Sequence, residues 1–497
     1  MLREGSRSVQ GRACTTEKMM LRDLISLFEQ AGELRRVCGA SAIEEIGALT
    51  EMNATREKPH ALLFDELQGY PAGYRVFSGM LDSPLRLATA LGFEGVDSTE
   101  ALLAKLENGR LQRWIDEAES YPLEEVERDG DVLHISPCES SGLNLDSFPA
   151  PLWHSGDGGR YIGTACSILT QGPDGGWVNA GCYRTMIKDP ESVTISFSTT
   201  SRHGRAHVGA WWDAGRSAPV AIVVGGDPLL AQIAGVEVPF GISELQVAAA
   251  IRRKPMRVVK SDLTGLPIPA DAELVLEGFI SAGDESEEGP FGEATGYYAS
   301  AHKLVPVARI QRIWHRKDPI ILGGLPSKPP HDFEYPYAVI RSALMKDSLK
   351  AAGVTGVHAV WTSFSRQWTV VSVKQEHPGH GRQAAYIAAN CGPGAYFSRY
   401  VVAVDHDINP QSVSEVLWAI LTRADPGSDI EITRKGWGSP IDPMGNLFPE
   451  GHMYNTRAII DATIPYTKRD LFPKVATVDP DRMRELSVKW ADLFGSR

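Results

Sequence analysis

The stretch "AELVLEGFI", Ala272–Ile280, and its neighbour "VPVARIQRIWH", Val305–His315, decide the fold class. Both are rich in β-branched and aromatic residues and are bounded by Gly, Pro and Asp, so each reads as a strand. Outward from them, "DVLHISP" (131–137), "YIGTACSILTQ" (161–171), "SVTISFS" (192–198) and "PVAIVVGG" (219–226) repeat the texture. Residues 126–320 therefore read as a β-barrel or sandwich. One helix, "SELQVAAAIRR", interrupts it, with Ser243 as the expected N-cap.

The flanks read differently. In "MLRDLISLFEQAGELRRV" (20–37), Leu21, Leu24, Ile25 and Phe28 fall at helical spacing and stop at Gly32. Strand-like "HALLFDEL" and "YRVFSGM" then alternate with a helical pattern, "TEALLAKLENGRLQRWIDEAE" (99–119), so 19–125 is a small α/β domain behind a disordered tail, 1–18. In 321–497, helical "YAVIRSALMKDSLKAAG", "GRQAAYIAANCG" and "SVSEVLWAILTR" alternate with strands "VHAVWT", "QWTVVSV" and "YVVAVD", a second α/β unit. Asp479 and Pro480 start an amphipathic C-terminal helix, "DRMRELSVKWADLF", suited to docking on a partner subunit.

The 497 residues are 43% hydrophobic and 23% charged, enough for a large core. With net charge -12 and no Lys/Arg stripe, the chain is not expected to bind nucleic acid or an anionic membrane surface. No apolar run reaches a membrane span and the N-terminus lacks a secretory apolar centre, so a cytoplasmic location is expected. Six dispersed cysteines (Cys14, Cys38, Cys138, Cys166, Cys182, Cys391) without a CxxC pair read as free thiols.

The dinucleotide, Walker, HExxH and GxSxG signatures are absent. Four other stretches could do chemistry. In "EEGPFGEATGYY" (287–298), Gly289, Pro290 and Gly292 forbid helix, making Glu288 and Glu293 acids of a tight loop. That loop reads equally as a catalytic element or as a solvated acidic turn beside Asp284, Glu285 and Glu287. In "WVNAGCYRTMIKDP" (177–190), Asn179 and Arg184 differ in parity, so a bend near Gly181 is needed to bring both to one site. "TTSRHGRAH" offers His203 among Arg202, Arg205 and His207, suited to phosphate or metal and nearly as well to a solvated turn. Asn179, His203 and Glu244 would make a donor set for Mn²⁺ or Mg²⁺, although Glu244 in a helix's first turn needs no such role. Asp405, His406 and Asp407 of "VAVDHDINP" read as a strand terminus rather than a metal site.

Taken in order, "NAGCYR", "RHGR", "PVAIVVGGDP", "SELQVAAAIRRKP", "EGPFGEATGYY" and "VSEVLWAILTR" resemble the UbiD family of prenylated-FMN-dependent (de)carboxylases. The resemblance implies an N-terminal α/β domain, a central split β-barrel that binds the flavin, and a C-terminal α/β oligomerisation domain with a terminal helix. It implies Arg184, Glu288 and Glu293 as the catalytic set, Glu288 pairing with Arg184 and Glu293 delivering the proton after CO₂ leaves. Loss of CO₂ from an sp² carbon leaves a carbanion that no side chain can delocalise, and the family meets this with a prenylated FMN adduct. It further implies Asn179, His203 and Glu244 at Mn²⁺ (or Mg²⁺) and K⁺ beside the flavin phosphate, and Cys182 and Tyr183, with Arg184, along the ring. Arg202 stands one residue from the histidine's place, and Arg399 stands where relatives carry a phosphate-contacting lysine.

The expected activity is reversible decarboxylation of an aromatic, heteroaromatic or α,β-unsaturated acid, releasing CO₂, by a homodimer or higher homo-oligomer supplied by a flavin prenyltransferase. Ala294 and His331 are expected at the substrate pocket. An FMN-dependent oxidoreductase and a non-catalytic flavin-binding or assembly protein are the competing readings. Hydride transfer needs no acid pair, and an assembly protein should lack Glu293.

Overall fold

In the computed structural model, which describes residues 20–127, 144–197, 203–299, 303–447 and 454–494, eight strands form one antiparallel sheet that curls into a half-barrel. From one edge the order is Tyr161–Gly163, Thr185–Asp189, Ser192–Ile195, Lys303–His315, Leu274–Glu288, Ala218–Gly225, Ser167–Gln171 and Val178–Gly181. The spine is the pair expected from sequence, but its first member continues past Ile280 to Glu288, with a register break between Ile280 and Glu285. Glu288 is consequently the last residue of a strand rather than part of a loop, directly opposite Lys303.

Alternation explains why Ala218–Gly225 is apolar and buried throughout. Val220, Ile222 and Val224 enter one core with Val208 of helix His203–Asp213, while Ala221 and Val223 enter another with Leu245 and Ala248 of helix Glu244–Arg252. A strand covered on both faces reads as a continuous apolar run. Ser243 occupies the N-cap of the second helix, but its hydroxyl makes no capping bond.

Two expectations are corrected. "YIGTACSILTQ" is two strands rather than one, parted at Thr164–Cys166. The 99–119 pattern is two helices, Thr99–Leu106 and Arg110–Asp116, because Asn108 and Gly109 both take the left-handed backbone (φ 62° and 73°). "DVLHISP", Arg202, Cys14 and Cys138 lie outside the described residues.

Leu34–Cys38, Ala61–Asp65, Arg75–Ser78 and Ile320–Leu322 form a four-stranded sheet, its last strand arriving after the central sheet is complete. Val357–Ser363, Trp368–Val373, Tyr400–Asp405, Tyr454–Ala462 and Ile430–Trp437 form a five-stranded sheet in that order. Asp479 caps helix Pro480–Lys489, which leaves Met483 and Val488 exposed and is followed by the short helix Ala491–Phe494. Among the described residues no helix is long and apolar enough to cross a membrane.

Candidate active site

The turn after Glu288 is built by close backbone approach. Gly158 donates its N–H to the Pro290 carbonyl at 2.8 Å, and a Cβ on Gly158 would stand 2.0 Å from the Gly289 oxygen. Asp157 accepts Gly292 N–H at 3.0 Å and His154 N–H at 2.9 Å, bracing the same turn. Glu288 and Glu293 thereby face one guanidinium.

Arg184 holds Glu288 in a bidentate pair, Nε to Oε1 at 2.7 Å and Nη2 to Oε2 at 2.9 Å, and its Nη1 bonds Glu293 Oε1. The Tyr161 hydroxyl adds a bond to Glu288 Oε1 at 2.8 Å, and the guanidinium lies 5.1 Å from the centre of the Phe291 ring. Glu288 and Glu293 are both buried, which excludes the solvated acidic turn. Burial opposes the Arg184 charge, yet Glu293 and the bonds to Glu288 outweigh it and raise its pKa. Burial, then Glu288, pushes the Tyr161 phenol up and keeps it a donor. Lys303 is lowered by burial and by Arg184, with the two glutamates opposing.

Beside this cluster lies a cavity of about 320 Å³ lined by, among others, Thr164, Cys182, Ala294, His331, Tyr337 and Arg366. Ala294 and His331 thus share a cavity. Ser365 donates to the Ala294 carbonyl at 3.0 Å, tying the hairpin between Val357–Ser363 and Trp368–Val373 to the loop that carries Glu293. His331 Nδ1 stands 2.6 Å from the Asp332 carbonyl, which puts a proton on Nδ1; in the neutral ring Nε2 is then an acceptor. That Nε2 is buried with no partner among the described residues.

Asn179, His203 and Glu244 line a second cavity, of about 190 Å³, with Gly181, Tyr183 and Tyr396. Glu244 accepts Ala180 N–H at 2.8 Å, and burial, partly offset by that bond, pushes its carboxyl up to about 7. Among the described residues no three His, Cys, Asp or Glu side chains cluster as a metal site. An amide oxygen, an imidazole and a carboxylate facing one small cavity do fit a hard divalent cation. Arg399 lines neither cavity and instead pairs with Asp442. Asp405 and Asp407 both bond Arg423, the structural role expected of them.

Tyr161, Asp157 and Glu237, which bridges Arg341 and Arg366 at the cavities, escaped the sequence reading. Each sits in a stretch whose apolar or turn pattern is complete without it, so no local signal marks it.

Family models match along the chain: the 3-octaprenyl-4-hydroxybenzoate carboxy-lyase N-terminal domain at 25–106, the Rift-related domain at 125–329 and the C-terminal domain at 335–462. A phenolic acid decarboxylase of Sedimentibacter hydroxybenzoicus is 31% identical over 95% of this chain and 98% of its own. The chain belongs to the UbiD family. The UbiD-class enzyme HmfF from Pelotomaculum thermopropionicum, solved in complex with FMN, superposes with a TM-score of 0.79 at 26% identity, covering 93% of this chain and 98% of HmfF. An evolved dimeric form of HmfF in complex with prFMN gives 0.77 at 26% identity over 96% and 100%. The UbiD-family assignment makes this chain a carboxy-lyase.

Proposed function

We propose that this chain reversibly decarboxylates a phenolic acid with prenylated FMN, Glu293 delivering the proton. The observation that carries the reading is the Arg184–Glu288–Glu293 cluster beside a cavity in whose wall His331 Nε2 is buried with no partner among the described residues. A buried acceptor with no partner costs about 1–3 kcal/mol until a ligand donor meets it, and a phenolic hydroxyl is such a donor. Ala294, a methyl at the wall next to Glu293, leaves room for one or two rings.

When bound, prenylated FMN supplies the electron sink for the pair that CO₂ leaves behind. The chain's residues do the rest. Arg184 pairs with Glu288 through both of its oxygens and also bonds Glu293, so the two acids are held differently by one guanidinium. Glu293, held at Oε1 by Arg184 Nη1, is the carboxyl that would exchange a proton with the substrate carbon in either direction. Asn179, His203 and Glu244 would hold Mn²⁺ or Mg²⁺, with K⁺, at the flavin phosphate, and a cation there would draw Glu244 back to its ionised form. Cys182, Tyr183 and the second-cavity wall would follow the flavin between the two cavities. Arg399, engaged by Asp442, and Arg202 would be outer contacts to the phosphate. The five-stranded sheet and terminal helix would form the homodimer or larger assembly, and a cytoplasmic flavin prenyltransferase would supply the cofactor.

The test is expression with and without such a prenyltransferase, mass spectrometry of the released flavin, and assay on hydroxybenzoic acids against their unhydroxylated parents. CO₂ release confined to the prenylated sample, with hydroxylated acids preferred, is expected. Equal turnover with plain FMN would overturn the cofactor assignment, and a preference for unhydroxylated acids would overturn the phenolic one.

A further inference from the structure

The turn that carries Glu293 is closed on its own backbone: Glu293 N–H donates to the Tyr297 carbonyl at 3.0 Å, and Gly296 N–H donates to the Glu293 carbonyl at 2.8 Å. Gly296 takes a left-handed φ of 82° to complete it. Ala294 and Thr295 are left at the tip, and each is tied to the C-terminal domain. Ser365 Oγ donates to the Ala294 carbonyl at 3.0 Å, and Thr295 Oγ1 donates to the Ile441 carbonyl at 3.2 Å. The flank before Glu293 is held instead by the central domain, through Asp157 on Gly292 N–H and Arg184 on Glu293 Oε1.

Both anchors are themselves fixed. Phe364, Ser365 and Arg366 take left-handed backbone in succession (φ 49°, 54° and 76°), a conformation that residues other than glycine hold only where their surroundings impose it. Here Glu334 accepts Phe364 N–H at 2.5 Å and Glu237 pairs with Arg366. Ile441 lies in a turn closed by Asp442 N–H on the Ser439 carbonyl at 3.1 Å. In that turn the Ser439 hydroxyl is 2.6 Å from the Tyr396 hydroxyl, and Asp442 pairs with Arg399. Ala294, Ser365 and Ile441 all line the cavity of about 320 Å³, so a ligand there touches both walls that the two bonds join.

We propose that Thr295 and Ser365 are positioning residues for Glu293, through which the C-terminal domain sets where the carboxyl stands against the substrate carbon. Arg184 fixes one carboxyl oxygen from the central domain, and the two tip bonds fix the backbone from which the side chain springs. Proton transfer to carbon needs a near-contact geometry, and a misplacement of about 1 Å costs about 10²-fold. The inference rests on the reading of Glu293 as the proton donor. It adds that the donor is aligned by residues outside the acid cluster.

The test is a set of variants of the full chain loaded with prenylated FMN, assayed on 4-hydroxybenzoate or benzoate, whichever the wild type turns over faster. Thr295→Val and Ser365→Ala are expected to lower kcat by about 10- to 100-fold, with KM and bound flavin within about twofold of wild type. Thr295→Ser keeps the hydroxyl and is expected to restore kcat, whereas a defect from lost methyl packing would persist in it. Made on Glu293→Gln, Thr295→Val and Ser365→Ala should change the residual rate by less than about twofold, because groups that act through one step are not additive. An undiminished kcat in both variants beside an inactive Glu293→Gln overturns the positioning role and leaves the proton donor in place. A raised KM or lost flavin in place of a lower kcat, a Thr295→Ser rate as low as that of Thr295→Val, or a fall as large on Glu293→Gln as on the wild type also overturns it. Wild-type turnover in Glu293→Gln alone sinks the proton-donor reading, and the inference with it.

Discussion

Replacing Arg184 by methionine removes three hydrogen bonds and the one positive charge bonded to both Glu288 and Glu293. The side chains are 13% exposed for Arg184, 0% for Glu288 and 10% for Glu293, so water cannot stand in for the guanidinium. Stranding buried partners of a broken ion pair costs about 3–5 kcal/mol, softened by the Tyr161 hydroxyl on Glu288 and by the Lys303 charge near both glutamates. The sign of the pH dependence follows. Without Arg184, burial and mutual repulsion raise both carboxyls above their unfolded values. Groups raised in this way favour the folded state at low pH and lose that advantage as pH climbs through the raised values. Urea unfolding followed by tryptophan fluorescence should therefore show the full loss near about pH 8 and a smaller one near about pH 5, with an unchanged slope validating the comparison. Adding Glu288→Leu to the variant should recover part of the loss, because an apolar side chain removes the uncompensated charge. A loss below about 1 kcal/mol at the higher pH, or one that grows on acidification, would refute the argument.

Glu293→Gln keeps the shape and removes the transferable proton, so steady-state turnover should drop by about 10²–10⁴ while flavin content stays, and unchanged turnover would take Glu293 out of the mechanism. Gly158→Ala places a Cβ against the Gly289 oxygen at 2.0 Å, so the turn must shift and kcat should fall more than KM rises; wild-type kinetics would show that the turn is slack. His203→Ala should lower bound Mn²⁺ and flavin together in the purified protein, and a loss of neither would remove His203 from the anchoring set.

How much of this was legible in the sequence depends on the range of the contact involved. Strand texture exposed the central sheet because Val220–Val224 fills two cores with one apolar run. The same texture hid the end of Leu274–Glu288: the glycines and proline that follow it dominate the local pattern, while the pairing of Glu288 with Lys303 is a property of register.

The segment from Asn179 to Arg184 shows how a local rule can be right and its application wrong. Parity sends the two residues to opposite faces, and a bend near Gly181 was invoked to reunite them. The strand does end at Gly181, yet the alternation survives: Asn179, Gly181 and Tyr183 line the smaller cavity, Cys182 lines the larger, and Arg184 reaches the glutamates beside it. No reunion is required, because the reading assigns the two residues to different ends of one elongated cofactor. A regular strand between two cavities presents alternate side chains to each. Opposite parity is then what an anchor and an arginine of the acid cluster five residues apart need under that reading.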